Sequence, residues 1–162
     1  MISFESIRSA IVRGLAAYLG NKVIEMNSSG QAPAYPFMTY DFLEDDSPGG
    51  LPIIQSQNGA VTLTETVEFT MSFHSYSEST LEGKVLALKA RDWFLGEGHL
   101  ELKYKVDVIV AEIGKVENRD VLVGEEWERR HGFEVTFRTT NRVQYTVETI
   151  ETANIKGVDP LG

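Results

Sequence analysis

Cysteine is absent from this chain, which excludes disulfide scaffolds, thiolate-bound zinc and thiol nucleophiles and fits a reducing cytosol. Histidine is scarce. His74, His99 and His131 lie on different segments with no H-x-x-x-H or H-E-x-x-H spacing, and read as hydrogen-bonded or solvated side chains rather than metal ligands. Basic runs are missing too: the longest is Arg129-Arg130, and 24 acidic residues outweigh 15 basic ones for a net charge of −9. A tight nucleic-acid binder needs clustered cations to neutralise phosphates, so that class is excluded and the acidity reads as solubility. No apolar run approaches the ~20 residues that span a bilayer. At the N-terminus Glu5, Arg8 and Arg13 are interspersed among apolar residues at helical spacing, which is an amphipathic helix and not a secretory signal. Phosphate-binding motifs of the G-x-x-x-x-G-K-[ST] and G-x-G-x-x-G types and the G-x-S-x-G elbow are lacking. No catalytic set and no cofactor is therefore expected.

What is present is a soluble composition, 42% hydrophobic and 24% charged over 162 residues, sized for one domain spanning residues 1–162. Ser3 to Leu19 is a helix whose stripe is Phe4, Ile7, Ile11, Leu15 and Tyr18, stopped at Gly20-Asn21. Lys22 to Met26 is a short strand, followed by a Ser/Gly/Pro-rich loop to Pro36. Phe37 to Leu43 is a strand. The polar stretch after it, about residues 44–60 and beginning Glu44-Asp45-Asp46, reads as a long mobile loop. Those three acids lack the spaced oxygen donors of a calcium loop, so no metal site is assigned to them.

Val61 to Tyr76 alternates strictly: Val61, Leu63, Val67, Phe69, Met71 and Phe73 face one way, and Thr62, Thr64, Thr66, Glu68, Thr70, Ser72 and His74 the other. That is an antiparallel strand with one covered face. Ser79-Thr80-Leu81-Glu82 is a capping box that opens a second helix to Leu95, with Leu81, Val85, Leu88 and Phe94 as its apolar face and Trp93 beside it. Gly96-Glu97-Gly98 reads as a stop and turn, Lys103 to Ile113 as a strand, Gly114 to Asp120 as a turn and Val121 to Val123 as a short strand. Phe133 to Thr139 alternates again, and a second β-rich run, Val143 to Ile150, follows a break at Thr140-Asn141. Lys156 to Gly162 is a tail. The expected fold is α+β: an antiparallel or mixed sheet with two helices packed on one face and a long loop between strands.

The most suggestive cluster is Glu126-Trp127-Glu128-Arg129-Arg130. Tryptophan and arginine dominate interface hot spots, and Arg–Glu pairs can form across subunits. The alternative is an intramolecular salt-bridge patch beside a core tryptophan. Trp127, Glu128, Arg129, Arg130, Arg138, Glu44, Asp45 and Asp46 are the candidate subunit-interface residues.

The run Glu128-Arg129-Arg130-His131-Gly132-Phe133-Glu134-Val135-Thr136-Phe137-Arg138, followed by Val147 to Glu151 and Asn154-Ile155, resembles the neck or tail terminator proteins of long-tailed bacteriophages. The N-terminal helix, the strand carrying Pro36, Phe37 and Tyr40, and the second helix share in the resemblance. It implies a structural virion protein, assembled in the bacterial cytoplasm, that forms a homohexameric ring. Such a ring caps the tail tube and joins the neck or connector of the DNA-filled head, and genomic DNA passes through it without specific binding. The partners implied are further copies of the chain, the tail-tube protein and the neck or head-completion protein. Another head–tail junction ring, a tail-tube subunit, and a small-molecule-binding protein or enzyme are the alternative readings.

Overall fold

A computed structural model describes residues 1–148, giving the backbone alone at 44–46. In chain order the elements are α1 (Phe4–Leu19), β1 (Val23–Glu25), β2 (Phe37–Pro48), β3 (Ile53–Gln57), β4 (Ala60–Ser77), α2 (Thr80–Leu95), α3 (Glu97–Val106), β5 (Val108–Ile113), β6 (Glu117–Asn118), β7 (Val121–Val123) and β8 (Glu126–Thr146). The sheet runs β1-β2-β4-β8-β5, with β3 paired to β4 and β6 and β7 paired to β8. All pairs are antiparallel except β1 with β2, so the α+β class and the mixed sheet are as the sequence predicts.

The centre is the β4–β8 pair, in which all 18 residues of β4 find a partner on β8. Strand periodicity puts Val67, Phe69, Met71 and Phe73 on the helix side, with Phe133, Val135 and Phe137 across from them, and all of these are buried. Burying side chains of this size stabilises the fold by about 1.5–3 kcal/mol each. Aromatic pairs order the layer: Phe73 lies 4.8 Å from Phe94 and 5.7 Å from Phe133, and Phe69 lies 5.2 Å from Phe137. Ile7, Ile11 and Leu15 of α1 complete it from the predicted stripe, whereas Tyr18 stays exposed.

Several expectations are corrected. The stretch after Leu43 is no long loop: β2 continues to Pro48 opposite Val67, and β3 forms a hairpin with β4 around Asn58-Gly59, both at positive φ. β-ladder hydrogen bonds outweigh the polar composition there. Lys103 to Ile113 is not one strand, because its first half belongs to a third helix, α3, among the described residues. The alternation of Lys103, Tyr104, Lys105 and Val106 mimics a strand. Burial of Leu102 and Gly98 against α1 and α2, with a left-handed Asp107 as the stop, favours the helix. Gly98 is thus inside a helix and not in a turn. β8 passes through Thr140-Asn141 without a break. The predicted run Val143–Ile150 is strand to Thr146, and its last residues, with the tail 156–162, lie outside the described residues.

On α2 the buried face is Gly83, Leu86, Ala87, Ala90, Trp93 and Phe94. Leu81, Val85 and Leu88, expected in the core, point outward instead. The small residues Gly83, Ala87 and Ala90 let the helix lie close to the sheet, and Leu86, Trp93 and Phe94 are buried beside them. The predicted cap is present, with the Ser79 hydroxyl accepting from the Glu82 amide at 3.3 Å.

Candidate assembly surface

The face of the sheet away from the helices is a ladder of polar cross-strand partners. Glu68 stands opposite Arg138, Thr70 opposite Thr136, Ser72 opposite Glu134, His74 opposite Gly132 and Tyr76 opposite Arg130. Most of these pairs bond directly: Arg138 to Glu68 at 2.7 Å, Thr70 to Thr136 at 3.2 Å and Ser72 to Glu134 at 3.3 Å. The alternation that sends phenylalanines into the core places these residues on the open side.

Gly132 makes room at the middle of the ladder. A Cβ there would meet His74 Cδ2 at 2.6 Å and Arg119 Nη1 at 2.7 Å. Arg119 reaches in from the segment between β6 and β7, bonds the Glu134 carboxylate at 2.8 Å, and donates from Nη1 to His74 Nε2 at 2.9 Å. Arginine has no acceptor, so Nε2 of His74 must be unprotonated. Burial, followed by the Arg119 charge, pushes His74 down to about 4. The hydrogen bond from Arg119 holds the Glu134 carboxyl below the usual range, against the opposing effect of burial.

The cluster singled out in the sequence lies at the start of β8. Trp127 is 55% exposed, on a hairpin where Leu122 is its cross-strand partner and Gly124 turns at φ 66°. The alternative reading places an intramolecular salt-bridge patch beside a core tryptophan; the salt bridges are present, but the core indole is Trp93, which is buried. Arg129 bonds Asp120 at 2.9 Å and lies 5.9 Å from the Trp127 ring centroid. Arg130 bonds Glu128 at 2.6 Å and sits 5.0 Å over Tyr76. Burial alone would raise Asp120, but hydrogen bonds from Arg129, the Arg130 amide and Asn118 hold it below its ordinary value.

These arginines are therefore held by their own chain, and the hairpin exposes an apolar group, Val121, Leu122, Val123 and Trp127, beside the acidic Glu125 and Glu126. Arg138 is eight residues further along β8, about 27 Å away at strand rise, so it does not join the cluster. Glu44, Asp45 and Asp46 have strand backbone in β2, and their side chains lie outside the described residues. Sequence reading missed Asp120 and Arg119, whose signal is faint: isolated charges in a turn acquire meaning only when β8 brings Glu134 and the Arg129–Arg130 pair beside them.

A groove of about 920 Å³ lies between α1 and α3 and is lined by Arg8, Arg13, Glu97, Glu101 and Lys105 above Trp93. Its charged groups sit on the open rims of two helices. Among the described residues no cluster of metal-binding side chains is present and no helix is long and apolar enough to cross a membrane.

A sheet with one packed face, an internally bonded polar face and several exposed apolar edges is a scaffold that works through surfaces. Residues 9–160 match the family of the phage neck terminator protein, which is nearly the whole chain, and the chain belongs to that family. It is a phage head–tail structural protein, from a family that is typically non-enzymatic, and a virion component that meets other phage head and tail proteins. No curated protein matches it.

Proposed function

We propose that this chain acts as a single domain that closes, as six copies, into a ring capping the phage tail tube and presenting its other side to the neck or connector of the filled head. Family membership over residues 9–160 carries this reading. It is supported by the amount of apolar surface that the subunit leaves uncovered outside its core, on the β7–β8 hairpin, on α2 and on β3. Heterologous contacts between such faces close into rings when the rotation per subunit allows it. The ring assembles in the bacterial cytoplasm before joining the head. Trp127 and its apolar hairpin are the interface residues we favour. Glu128, Arg129, Arg130 and Arg138 hold the surface in shape, and Glu44, Asp45 and Asp46 lie on the strand that borders it.

A net charge of −9 suits a channel wall that lets DNA pass without gripping phosphates. Electron microscopy of the purified protein, alone and with tail-tube subunits, tests the reading: closed rings that cap tubes are expected. Open stacks of this chain alone would make it a tube subunit, and a ring that binds heads but never tubes would make it a connector. Firm binding of duplex DNA at moderate salt would overturn the passive-channel proposal.

A further inference from the structure

The strands β3, β4 and β8 run on past the helices as an arm. In the arm, Ile54, Leu63 and Val143 form one cross-strand row, and Ser56, Val61 and Tyr145 the next. Directly opposed residues share a face, and parity along β4 puts both rows on the side that carries Val67 and Phe69 in the core. The apolar side of the sheet thus continues beyond the helices that cover it. Ile54 is 66% exposed, and Val143 and Tyr145 are exposed as well, whereas Val61 on the middle strand is buried and Leu63 half-buried. The opposite side of the arm is mostly polar, with Gln144 bonded to Thr62 at 3.1 Å, although Ile53 stands there in the row of Thr64 and Arg142. The arm is an amphipathic sheet lacking its second layer.

The same chain carries a helix face lacking its sheet. α2 packs one side on β4 and β8 through Gly83, Leu86, Ala87, Ala90 and Phe94. Its other side presents Leu81, 70% exposed, with Val85, Leu88 and Leu95, at steps of three, four and seven, and the exposed Asp92 falls within the same stripe. Glu65 lies on the apolar side of the arm, while Lys84 and Lys89 flank the outer stripe of α2 and form no ion pair among the described residues.

We propose that the outer face of α2 in one copy packs on the apolar side of the β3–β4–β8 arm of the next copy, Glu65 lying toward Lys84 and Lys89. The contact deepens the ring reading above and rests on it. Each copy repeats between chains the helix-on-sheet packing that α2 already makes within its own, so α2 is layered between two sheets. The two patches differ, so the contact is heterologous: every copy gives an arm and receives one, and it propagates until the ring closes.

Absence of native cysteine makes crosslinking a clean test. Val143→Cys and Val85→Cys placed in one chain are expected to give, on mild oxidation, a ladder of covalent multimers on a non-reducing gel. Each single variant should give none. Ile54→Cys with Leu88→Cys is a second pair that guards against a shift of register, since a disulfide tolerates only about 7 Å between Cα atoms. Dimers from Val143→Cys alone would mean that arms meet arms, which overturns the proposal. So would both pairs failing to crosslink in particles whose light-scattering mass equals that of the wild type, an outcome that leaves the ring standing. A wild-type protein that stays monomeric would overturn the ring reading itself. Independently, Ile54→Asp with Val143→Asp should weaken self-association at least tenfold without lowering Tm, and an unchanged association constant would count against the contact.

Discussion

Gly98, the second residue of α3, lies directly against the indole of Trp93 at the end of α2: a Cβ on it would overlap Cδ2, Cε2 and Cε3 of the ring. Gly14 of α1 closes on the same ring from another side, with a Cβ position 2.6 Å from Trp93 Cζ2. Glycine inside a helix normally costs about 0.5–1 kcal/mol relative to alanine. Here the missing side chain lets three helices meet around one tryptophan. Gly98→Ala is therefore expected to destabilise the protein by about 1–3 kcal/mol through overpacking, lowering Tm in a thermal melt by roughly 2–4 °C per kcal/mol. A higher Tm would show that helix propensity outweighs the fit.

The polar ladder gives a comparison between two ion pairs. Arg138–Glu68 is exposed on both sides, and pairs of that kind contribute roughly 0–1 kcal/mol, so Arg138→Ala should leave Tm almost unchanged. Arg119 is less exposed and bonds both Glu134 and His74. Arg119→Ala removes both partners' bonds at once and should cost about 1–3 kcal/mol. Urea denaturation of the two variants side by side checks the order, and equal effects would contradict it.

His74 makes stability pH-dependent. Its folded value is about 4 against 6.5 unfolded, so from pH 6.5 down to 4 the unfolded chain takes up a proton that the folded one refuses. Stability is unaffected by His74 above pH 6.5 and falls as pH drops through that window. His131, lowered by its burial, acts in the same direction. Glu134 and Asp120, both depressed, add a further loss as pH falls below the ordinary carboxylate range. Melts between pH 7 and 4 should show Tm declining, by roughly 2–4 °C per pH unit at the steepest, and His74→Gln should flatten the decline. An identical profile in the variant would remove His74 as its source.

Trp127 and Arg129 separate assembly from folding. Trp127 is exposed, and surface substitutions of this kind change stability by roughly 0.5 kcal/mol or less. Trp127→Ala should therefore keep Tm while sedimentation velocity shows a smaller assembled fraction. Arg129→Ala takes a hydrogen bond from the half-buried Asp120 and should lower Tm by a few degrees even in the monomer. Unchanged assembly in Trp127→Ala would take the hairpin out of the interface.

Much of this molecule follows from sequence alone because alternation along a strand and stripes along a helix are local properties. Val67 to Phe73 and Phe133 to Phe137 announce a packed sheet face, Ile7, Ile11 and Leu15 a packed helix, Ser79 a helix start, and the absence of cysteine rules out disulfides and thiol chemistry. Tertiary structure decided what depends on neighbours distant in sequence. The stretch after Leu43 became strand because β4 offers it a ladder, Glu97 to Val106 became helix because Trp93 and α1 bury Leu102, and α2 turned Leu81, Val85 and Leu88 outward because the face with Gly83, Ala87 and Ala90 comes close enough to the sheet to bury Leu86 and Phe94. Arg119 likewise took on a role only when the fold set it against Glu134 and His74 in the space left by Gly132, since a charge in a turn has no meaning until long-range contact supplies its partner.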